Sequence, residues 1–246
     1  MYDAMMAETV TVNGHGGDEI EAYLARPLAP GPFGGVVVIH HMPGYDAATK
    51  EMVRKFAAHG YAAICPNLYW REAPGASPDD ASATVRAGGG VPDDRLVGDV
   101  AGAAAYLRSL TSANGKVGVI GHCSGGRQTF LSACSLDLDA AVDCYGAFVV
   151  NDPPESMSWM RPILPLAEKL SCPLLGLFGN EDKFPGPDEV DTLEGELTRL
   201  GKTFEFHRYD GAGHAFFAVD RPSYRQAAAV DGWTRIFDWF GQHLSA

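Results

Sequence analysis

The feature that most constrains this chain is a glycine-flanked cysteine that follows a short apolar stretch. Residues 116–127 read Lys-Val-Gly-Val-Ile-Gly-His-Cys-Ser-Gly-Gly-Arg, with Cys123 near the centre. Gly121 and Gly125 lie two positions before and after that cysteine. This spacing is typical of a nucleophile elbow, in which a reactive side chain occupies a sharp strand-to-helix turn and its neighbours must lack bulk. The pattern predicts a strand, a nucleophilic thiol and a helix in direct succession.

A second nucleophile in the same segment has to be considered. If Ser124 were the nucleophile, the two flanking positions would be His122 and Gly126, so one of the required glycines would be missing. Cys123 therefore fits the pattern better, and the start of the following helix would favour its thiolate form. A buried structural thiol in a glycine-rich turn is the alternative that an isolated short motif leaves open.

Composition limits the possible partners. The 246 residues include 46% hydrophobic and 20% charged residues, and the formal net charge is −12 at pH 7. This charge argues against nucleic acid or an anionic membrane as a partner, and an anionic substrate would need local arginines. We find neither an 18-residue apolar stretch nor a signal-peptide pattern at the N-terminus. Five cysteines without paired spacing fit a reducing, cytoplasmic setting.

The order of predicted elements indicates an α/β fold. Two short strands, 9–12 and 20–25, should form an antiparallel N-terminal hairpin after which apolar strands alternate with amphipathic helices. A Pro/Gly linker is expected over 27–34 and a βαβ unit over 36–65. We predict one domain over residues 1–246, with a mostly parallel central sheet and helices on both faces. Residues 67–93 interrupt the alternation and are expected to be an insertion that overhangs the ligand site.

Two further residues complete a catalytic triad in chain order. In an α/β-hydrolase the nucleophile, the acid and the histidine follow successive strands in that order. Asp182 follows the apolar strand that ends at Phe178, and His214 follows the strand that ends at Tyr209. We expect His214 to be the general base for Cys123 and Asp182 to orient it, with Glu181 as the competing acid. The alternative is that both are ordinary loop residues.

An oxyanion hole should accompany such a nucleophile. Two backbone N–H groups are expected to form it, one from Ser124, which follows the nucleophile, and one from the loop after the third strand. Met42 is our prediction for the second donor.

Several motifs together resemble the dienelactone hydrolase family, the carboxymethylenebutenolidases and their relatives, over nearly the whole chain. They are Gly121-x-Cys123-x-Gly125-Gly126, Cys65-Pro-Asn-Leu-Tyr69, Arg71-x-Ala-Pro-Gly75, Asn114-Gly-Lys-Val-Gly118, Tyr145-Gly146, Gly179-x-x-Asp182 and Gly213-His214-x-Phe216. The resemblance implies the α/β-hydrolase fold, a triad of Cys123, Asp182 and His214, ester or lactone hydrolysis through an acyl-enzyme, and no cofactor or metal. It also implies that Arg71 binds a substrate carboxylate. Trp70, Tyr145 and Phe216 are further expected substrate contacts.

Two positions depart from the family pattern. In the enzymes that act on dienelactone, the loop after the third strand carries a glutamate that engages the cysteine, and His41 takes that position here. Those enzymes also carry an arginine four residues after the catalytic histidine, where this chain has Ala218; Arg221 and Arg225 are the nearest substitutes. His41 could instead stabilise a thiolate or donate a hydrogen bond.

The sequence therefore predicts a cytoplasmic cysteine hydrolase of a small, possibly carboxylated lactone or ester. A broader carboxylesterase or thioesterase is the alternative within the same class. A non-catalytic small-molecule-binding protein on the same scaffold is the alternative from another class. No nucleic-acid or membrane partner is expected, and the chain should be a monomer or a homodimer.

Overall fold

The computed structural model describes residues 4–245. The strands are β1 (Met5–Asn13), β2 (Glu19–Pro27), β3 (Phe33–Ile39), β4 (Ala62–Pro66), β5 (Ala113–His122), β6 (Ala140–Cys144), β7 (Leu174–Gly179) and β8 (Phe204–Tyr209). The α-helices are α1 (Ala47–Ala58), α2 (Pro78–Ala87), α3 (Asp93–Ser109), α4 (Ser124–Ala133), α5 (Pro187–Arg199) and α6 (Gln226–Leu244). The order of the strands in the sheet is β1-β2-β4-β3-β5-β6-β7-β8. The fold is an α/β fold with a mostly parallel sheet and an antiparallel N-terminal hairpin, as the sequence predicts.

Contacts between Cα atoms divide the chain into two compact units. The first extends to Val119 and includes Leu244, and the second extends from Ile120 to His243. Strand β5 passes from the first unit into the second. The prediction of one domain over the whole chain, like that of an overhanging insertion, stays a prediction.

The first unit combines the hairpin with a βαβ crossover. Strand β1 pairs antiparallel with β2, from Met5 opposite Pro27 to Asn13 opposite Glu19. Strand β3 pairs parallel with β4, and α1 connects the two. Asp46 begins α1 because its carboxylate accepts the N–H of Thr49 at 2.8 Å, a typical N-cap. Every residue of β3 and β4 is buried, which explains why these strands are continuously apolar.

The second unit contains three parallel strands. Strand β6 pairs parallel with β7, and β7 pairs parallel with β8. All residues of β6 and β7 are buried, so each of these strands contributes to the core on both faces. Loops that leave the ends of these strands carry the candidate functional residues described below.

Two local predictions were incomplete. The segment 67–93, expected as an insertion, contains helix α2, for which the sequence gives no separate prediction. Ser77 begins this helix by accepting the N–H of Asp80 at 3.2 Å, and Pro78 occupies its first position; both are ordinary helix-start signals. The predicted linker over 27–34 is also too long, because Phe33 and Gly34 already belong to β3.

The glycines of two helices give a test of packing in the first unit. A Cβ added at Gly102 in α3 would lie 2.0 Å from the carbonyl oxygen of Asn13, whereas one added at Gly195 in α5 would meet nothing within 4 Å. We expect Gly102→Ala to lower the free energy of unfolding by about 1–3 kcal/mol through overpacking. Gly195→Ala should raise it by about 0.5–1 kcal/mol, because alanine is the better helix former. Urea denaturation of both variants checks this, and equal effects would contradict it.

Candidate active site

Cys123 occupies the turn between β5 and α4. Its backbone has φ 57° and ψ −123°, a conformation that non-glycine residues rarely adopt. The N–H of Cys123 donates to the carbonyl of Cys144 at 3.0 Å, and the carbonyl of Cys123 accepts the N–H of Gly126 at 2.9 Å. These contacts hold the strained turn, and the side chain stays partly exposed at the start of α4. Ser124 is the first residue of that helix, so it lies beyond the strained position.

Two glycines make this turn possible. A Cβ at Gly121 would lie 2.1 Å from the carbonyl oxygen of Gly125, so the chain before the cysteine passes directly against the chain after it. A Cβ at Gly126 would lie 2.3 Å from a carboxylate oxygen of Asp143. Larger residues could not occupy either position without moving the turn. The geometry thus agrees with the expectation that the glycines surround Cys123 and not Ser124.

Asp182 and His214 meet in the second unit. Asp182 follows β7, its side chain is 3% exposed, and its Oδ2 lies 2.8 Å from Nδ1 of His214, which follows β8. The other carboxylate oxygen accepts the N–H of Phe184 at 2.9 Å. Glu181, the competing acid of the sequence analysis, has an exposed side chain. Asp182 is therefore the acid that can fix the orientation and tautomer of this ring.

His214 also has a hydrogen bond to Cys123. Burial alone would lower the pKa of His214, but its hydrogen bonds to Asp182 and Cys123 and the negative charges of both groups outweigh burial. They raise the pKa of His214 to about 10. The structure therefore brings together all three residues of the predicted triad and stabilises the imidazole in its protonated form.

A cluster of aromatic rings lies on one side of this histidine. Tyr145 follows β6 with φ 46°, and its ring contacts His214 edge-on, with ring centroids 5.1 Å apart. Phe216 lies 5.2 Å from the ring of Tyr145 and is fully buried. The backbone N–H of Phe217 donates to the phenol oxygen of Tyr145. Tyr145 is 2% exposed, so these side chains form a packed apolar wall beside the histidine.

Asp143, which no sequence motif singles out, is a carboxylate that supports this wall. Asp143 is fully buried within β6, and its Oδ1 accepts the N–H of Gly146 at 2.7 Å. This bond spans Tyr145 and thereby helps to hold its unusual backbone conformation. Burial raises the pKa of Asp143 to about 7, although the bond from Gly146 opposes the shift. The sequence does contain a signal for Asp143, because it is the single acidic residue within an otherwise apolar strand.

His41 and Met42, which follow β3, belong to the first unit. Nε2 of His41 lies 3.2 Å from Oδ2 of Asp46, and its Nδ1 lies 3.4 Å from the hydroxyl of Thr49. Hydrogen bonds from the His41 side chain and the Thr49 backbone lower the pKa of Asp46 to about 2, although burial opposes this shift. Met42 is half-buried in the same loop. The roles predicted for His41 and Met42 stay predictions.

Arg71 and Trp70 also belong to the first unit. The guanidinium of Arg71 donates to Asp18 and, through two nitrogens, to Asp99. Trp70 is half-buried, and its backbone N–H donates to the carbonyl of Asn67 at 3.1 Å. Arg71 therefore has carboxylate partners within its own unit.

Residues 4–245 contain neither a metal-binding cluster of side chains nor a membrane-spanning helix. In this range, no group of three or more histidine, cysteine, aspartate or glutamate side chains is placed to hold a metal ion. Nor is any helix there sufficiently long and apolar to cross a membrane.

The charge of His214 can be measured by NMR titration of the histidine rings. We expect His214 to titrate near pH 10 and both Cys123→Ala and Asp182→Asn to lower this pKa, because the first removes a hydrogen-bond partner and the second removes a negative charge. Burial lowers the pKa of His40 to about 4, so His40 is an internal control that neither variant should shift. The pKa of His214 is raised on folding, so the protonated imidazole contributes to the free energy of unfolding. This contribution should be complete below about pH 6.5 and disappear as the pH rises to about 10. A wild-type value near 6.5 would contradict this account.

The whole chain is similar to known proteins. The family model for the dienelactone hydrolase family matches residues 20–244. A candidate carboxymethylenebutenolidase from Escherichia coli K12 is 34% identical, with 98% of this chain and 89% of that protein covered. The carboxymethylenebutenolidase of Pseudomonas putida is 30% identical, with 96% of each chain covered.

A solved structure agrees with these relatives. The crystal structure of a candidate dienelactone hydrolase from Klebsiella pneumoniae superposes with a TM-score of 0.86 and 31% identity. The match covers 98% of this chain and 100% of that one. With a family model over residues 20–244, full-length relatives at 30% identity or more, and the same fold, this chain belongs to the dienelactone hydrolase family.

Proposed function

We propose that this hydrolase of esters or lactones uses Cys123 as its nucleophile and passes through an acyl-enzyme. The observation that carries the proposal is the contact chain from Asp182 to His214 to Cys123. It joins a buried carboxylate, an imidazole and a thiol on a strained turn. This is the arrangement that nucleophilic catalysis requires, because the base activates the nucleophile and a third group orients the base.

Acylation begins from the ion pair in which Nε2 of His214, the ring nitrogen that Asp182 does not occupy, already holds the thiol proton of Cys123. The thiolate sulfur forms a bond to the substrate carbonyl carbon, and the π electrons of the carbonyl move to its oxygen. As the tetrahedral intermediate collapses, the C–O bond to the leaving oxygen breaks. The protonated His214 gives its proton to that oxygen. In a lactone the alcohol so formed remains attached to the acyl chain.

Deacylation repeats these steps with water. His214 takes a proton from water while the oxygen attacks the thioester carbon. The C–S bond breaks, the carboxylic acid product leaves, and the thiolate of Cys123 beside protonated His214 is restored. We propose the backbone N–H groups of Ser124 and Met42 as donors to the negative oxygen in both steps. Tyr145, Phe216 and Trp70 are proposed apolar contacts for the substrate, and His41 is a proposed polar one.

The alternative enzymes differ from this proposal in their substrates and not in the geometry of the three residues. A broader carboxylesterase or a thioesterase would use the same acyl-enzyme, so only a panel of substrates separates them. A binding protein would bind such compounds without turning them over. The raised pKa of His214 beside a partly exposed thiol favours catalysis over mere binding, because perturbed titratable groups cluster at catalytic sites.

Hydrolysis of a neutral aryl ester, a lactone and a thioester tests the nucleophile. We expect Cys123→Ala to lose at least about 10³-fold in kcat/KM, because the covalent step is abolished. Cys172→Ala, which removes another free cysteine, should retain nearly full activity. Activity that survives in Cys123→Ala but disappears in Ser124→Ala would move the nucleophile to Ser124. A wild-type protein that binds these compounds without cleaving any of them would favour the binding protein.

Alkylation distinguishes Cys123 from the four other cysteines without any substrate. Cys123 is partly exposed, whereas Cys65, Cys134, Cys144 and Cys172 are buried. Burial raises the pKa of the thiols of Cys134 and Cys172 to about 12. We expect brief iodoacetamide treatment near neutral pH to modify Cys123 alone, as peptide mass spectrometry would show. Unfolded protein, in which all five should react, is the control, and equal modification in the native state would contradict the assignment.

A further inference from the structure

The turn that follows β6 contacts both the nucleophile and the histidine of the proposed site. The carbonyl of Cys144 accepts the N–H of Cys123 at 3.0 Å. The next residue, Tyr145, has a φ of 46°, and its ring contacts that of His214 edge-on, with the ring centroids 5.1 Å apart. A side chain that fixes this turn therefore affects the positions of both Cys123 and His214.

Asp143 fixes the turn from inside the core. It is fully buried, and its Oδ1 accepts the N–H of Gly146 at 2.7 Å across the strained Tyr145. A Cβ added at Gly146 would lie 2.6 Å from this oxygen, and one added at Gly126, in the first turn of α4, would lie 2.3 Å from it. The carboxyl group thus lies directly against the backbone of the turn and against that of the helix that follows Cys123.

The surroundings of Asp143 favour its neutral form. Its Oδ2 is buried and has no hydrogen-bond partner among residues 4–245. The carboxylate of Glu189, in α5, disfavours a second negative charge nearby. Burial and this charge raise the pKa of Asp143 to about 7, although the bond from Gly146 opposes the rise. A buried carboxyl group with one N–H donor and an anion nearby costs less free energy when it is protonated.

Neighbouring elements also present uncharged groups to Asp143. Gly176 lies opposite it in β7 and cannot ionise. The thiol of Cys144, adjacent on β6, stays neutral because burial and Asp143 raise its pKa. On α4, the guanidinium of Arg127 donates to the carbonyl of Arg161 at 2.8 Å. Burial and the carboxylate of α5 therefore determine the protonation of Asp143.

Glu189 has a different environment in the same region. Its carboxylate accepts N–H groups from residues 148–151, among them that of Val150 at 3.2 Å. Phe148 in this segment has a φ of 61°, and a positive φ lets successive N–H groups converge on one anion. Burial raises the pKa of Glu189, and these bonds oppose the rise. Of the two carboxyl groups, Glu189 is the better placed to carry a charge and Asp143 to carry a proton.

We propose that Asp143 is a positioning residue that acts as a neutral acid and holds the turn at residues 144–146 in the conformation that hydrolysis requires. The inference rests on the proposed hydrolysis and adds a residue that acts through its neighbours and not on the substrate. Asparagine should replace Asp143, because it offers the same oxygen to the N–H of Gly146 and cannot ionise. Leucine has a similar shape but should not replace it, because this buried N–H would lose its acceptor.

Hydrolysis of a neutral aryl ester at pH 6 tests the positioning role. We expect Asp143→Asn to keep kcat within about 3-fold of the wild type and Asp143→Leu to lose at least about 10-fold, with KM changed by less than about 3-fold. The reason is that the turn beside the reacting groups is displaced. Val142→Ala, at a buried position of the same strand, controls for a general loss of packing and should retain kcat. Equal losses in Asp143→Leu and Val142→Ala, or in Asp143→Leu and Asp143→Asn, would overturn the proposal.

The NMR resonances of the His214 ring test the positioning without any substrate. Asp143→Leu should shift them, because the ring current of Tyr145 acts at short range, whereas Asp143→Asn and Val142→Ala should leave them near their wild-type values. If the wild type cleaves no ester, the proposed hydrolysis fails while these resonances still decide the positioning role. Unshifted resonances in Asp143→Leu would overturn it. If Asp143→Leu does not fold, Asp143→Ala, which removes the acceptor without adding bulk, replaces it in both experiments.

Thermal unfolding tests the protonation state of Asp143. Because its pKa is raised on folding, the protonated form contributes stability that is complete below about pH 4 and disappears as the pH rises to about 7. Asp143→Asn cannot ionise, so its Tm relative to that of the wild type should rise by at least about 4 °C between pH 5 and pH 8. Asp152→Asn, at an exposed position of the same unit, is the control and should show no such rise. A Tm difference between Asp143→Asn and the wild type that does not change with pH would overturn the neutral-acid assignment.

Discussion

The candidate site depends on a backbone contact between the residues on either side of Cys123. Gly121 approaches the carbonyl of Gly125 closely enough to exclude any side chain, and this approach forces the intervening chain through a tight turn. Cys123 then adopts a positive φ, held by its hydrogen bond to the carbonyl of Cys144. A strained backbone conformation of this kind persists only where several surrounding contacts hold the same conformation. Here, the core strands and α4 provide that support, and the thiol remains partly exposed.

The second unit also buries three carboxylates, and each has different partners. Asp182 has both His214 and a backbone N–H as partners. Glu189, at the start of α5, accepts the N–H of Val150 at 3.2 Å. Asp143 accepts one N–H, and burial raises its pKa. Of these three, Asp182 is the one that can stabilise a charged imidazole, while Asp143 and Glu189 shape the chain after β6.

Most of this arrangement was predictable because local rules determine it. Apolar runs identified the buried strands, the glycine spacing identified Cys123, and the order of strands located Asp182 and His214. Asp143 was missed because its partner is the backbone N–H of Gly146. Whether this N–H points toward the carboxylate depends on the turn at Tyr145, and the sequence does not reveal that turn. Helix α2 was missed although Ser77 and Pro78 mark its start, since the segment interrupts the alternation of strands and helices and was predicted only as an insertion.

Arg71 shows why a motif can be recognised while its role still depends on distant residues. Its sequence neighbours match the family pattern, but its partners Asp18 and Asp99 lie 53 and 28 positions away. Whether an arginine is available to a ligand depends on a difference between two free energies, that of the internal ion pair and that of the pair with the ligand. A ligand carboxylate that replaced Asp99 would make similar paired bonds but add a cost, because the buried Asp99 would keep only the N–H of His15 as a partner. The motif around Arg71 therefore does not by itself determine the role of this arginine, which also depends on the stability of its ion pair with the buried Asp99.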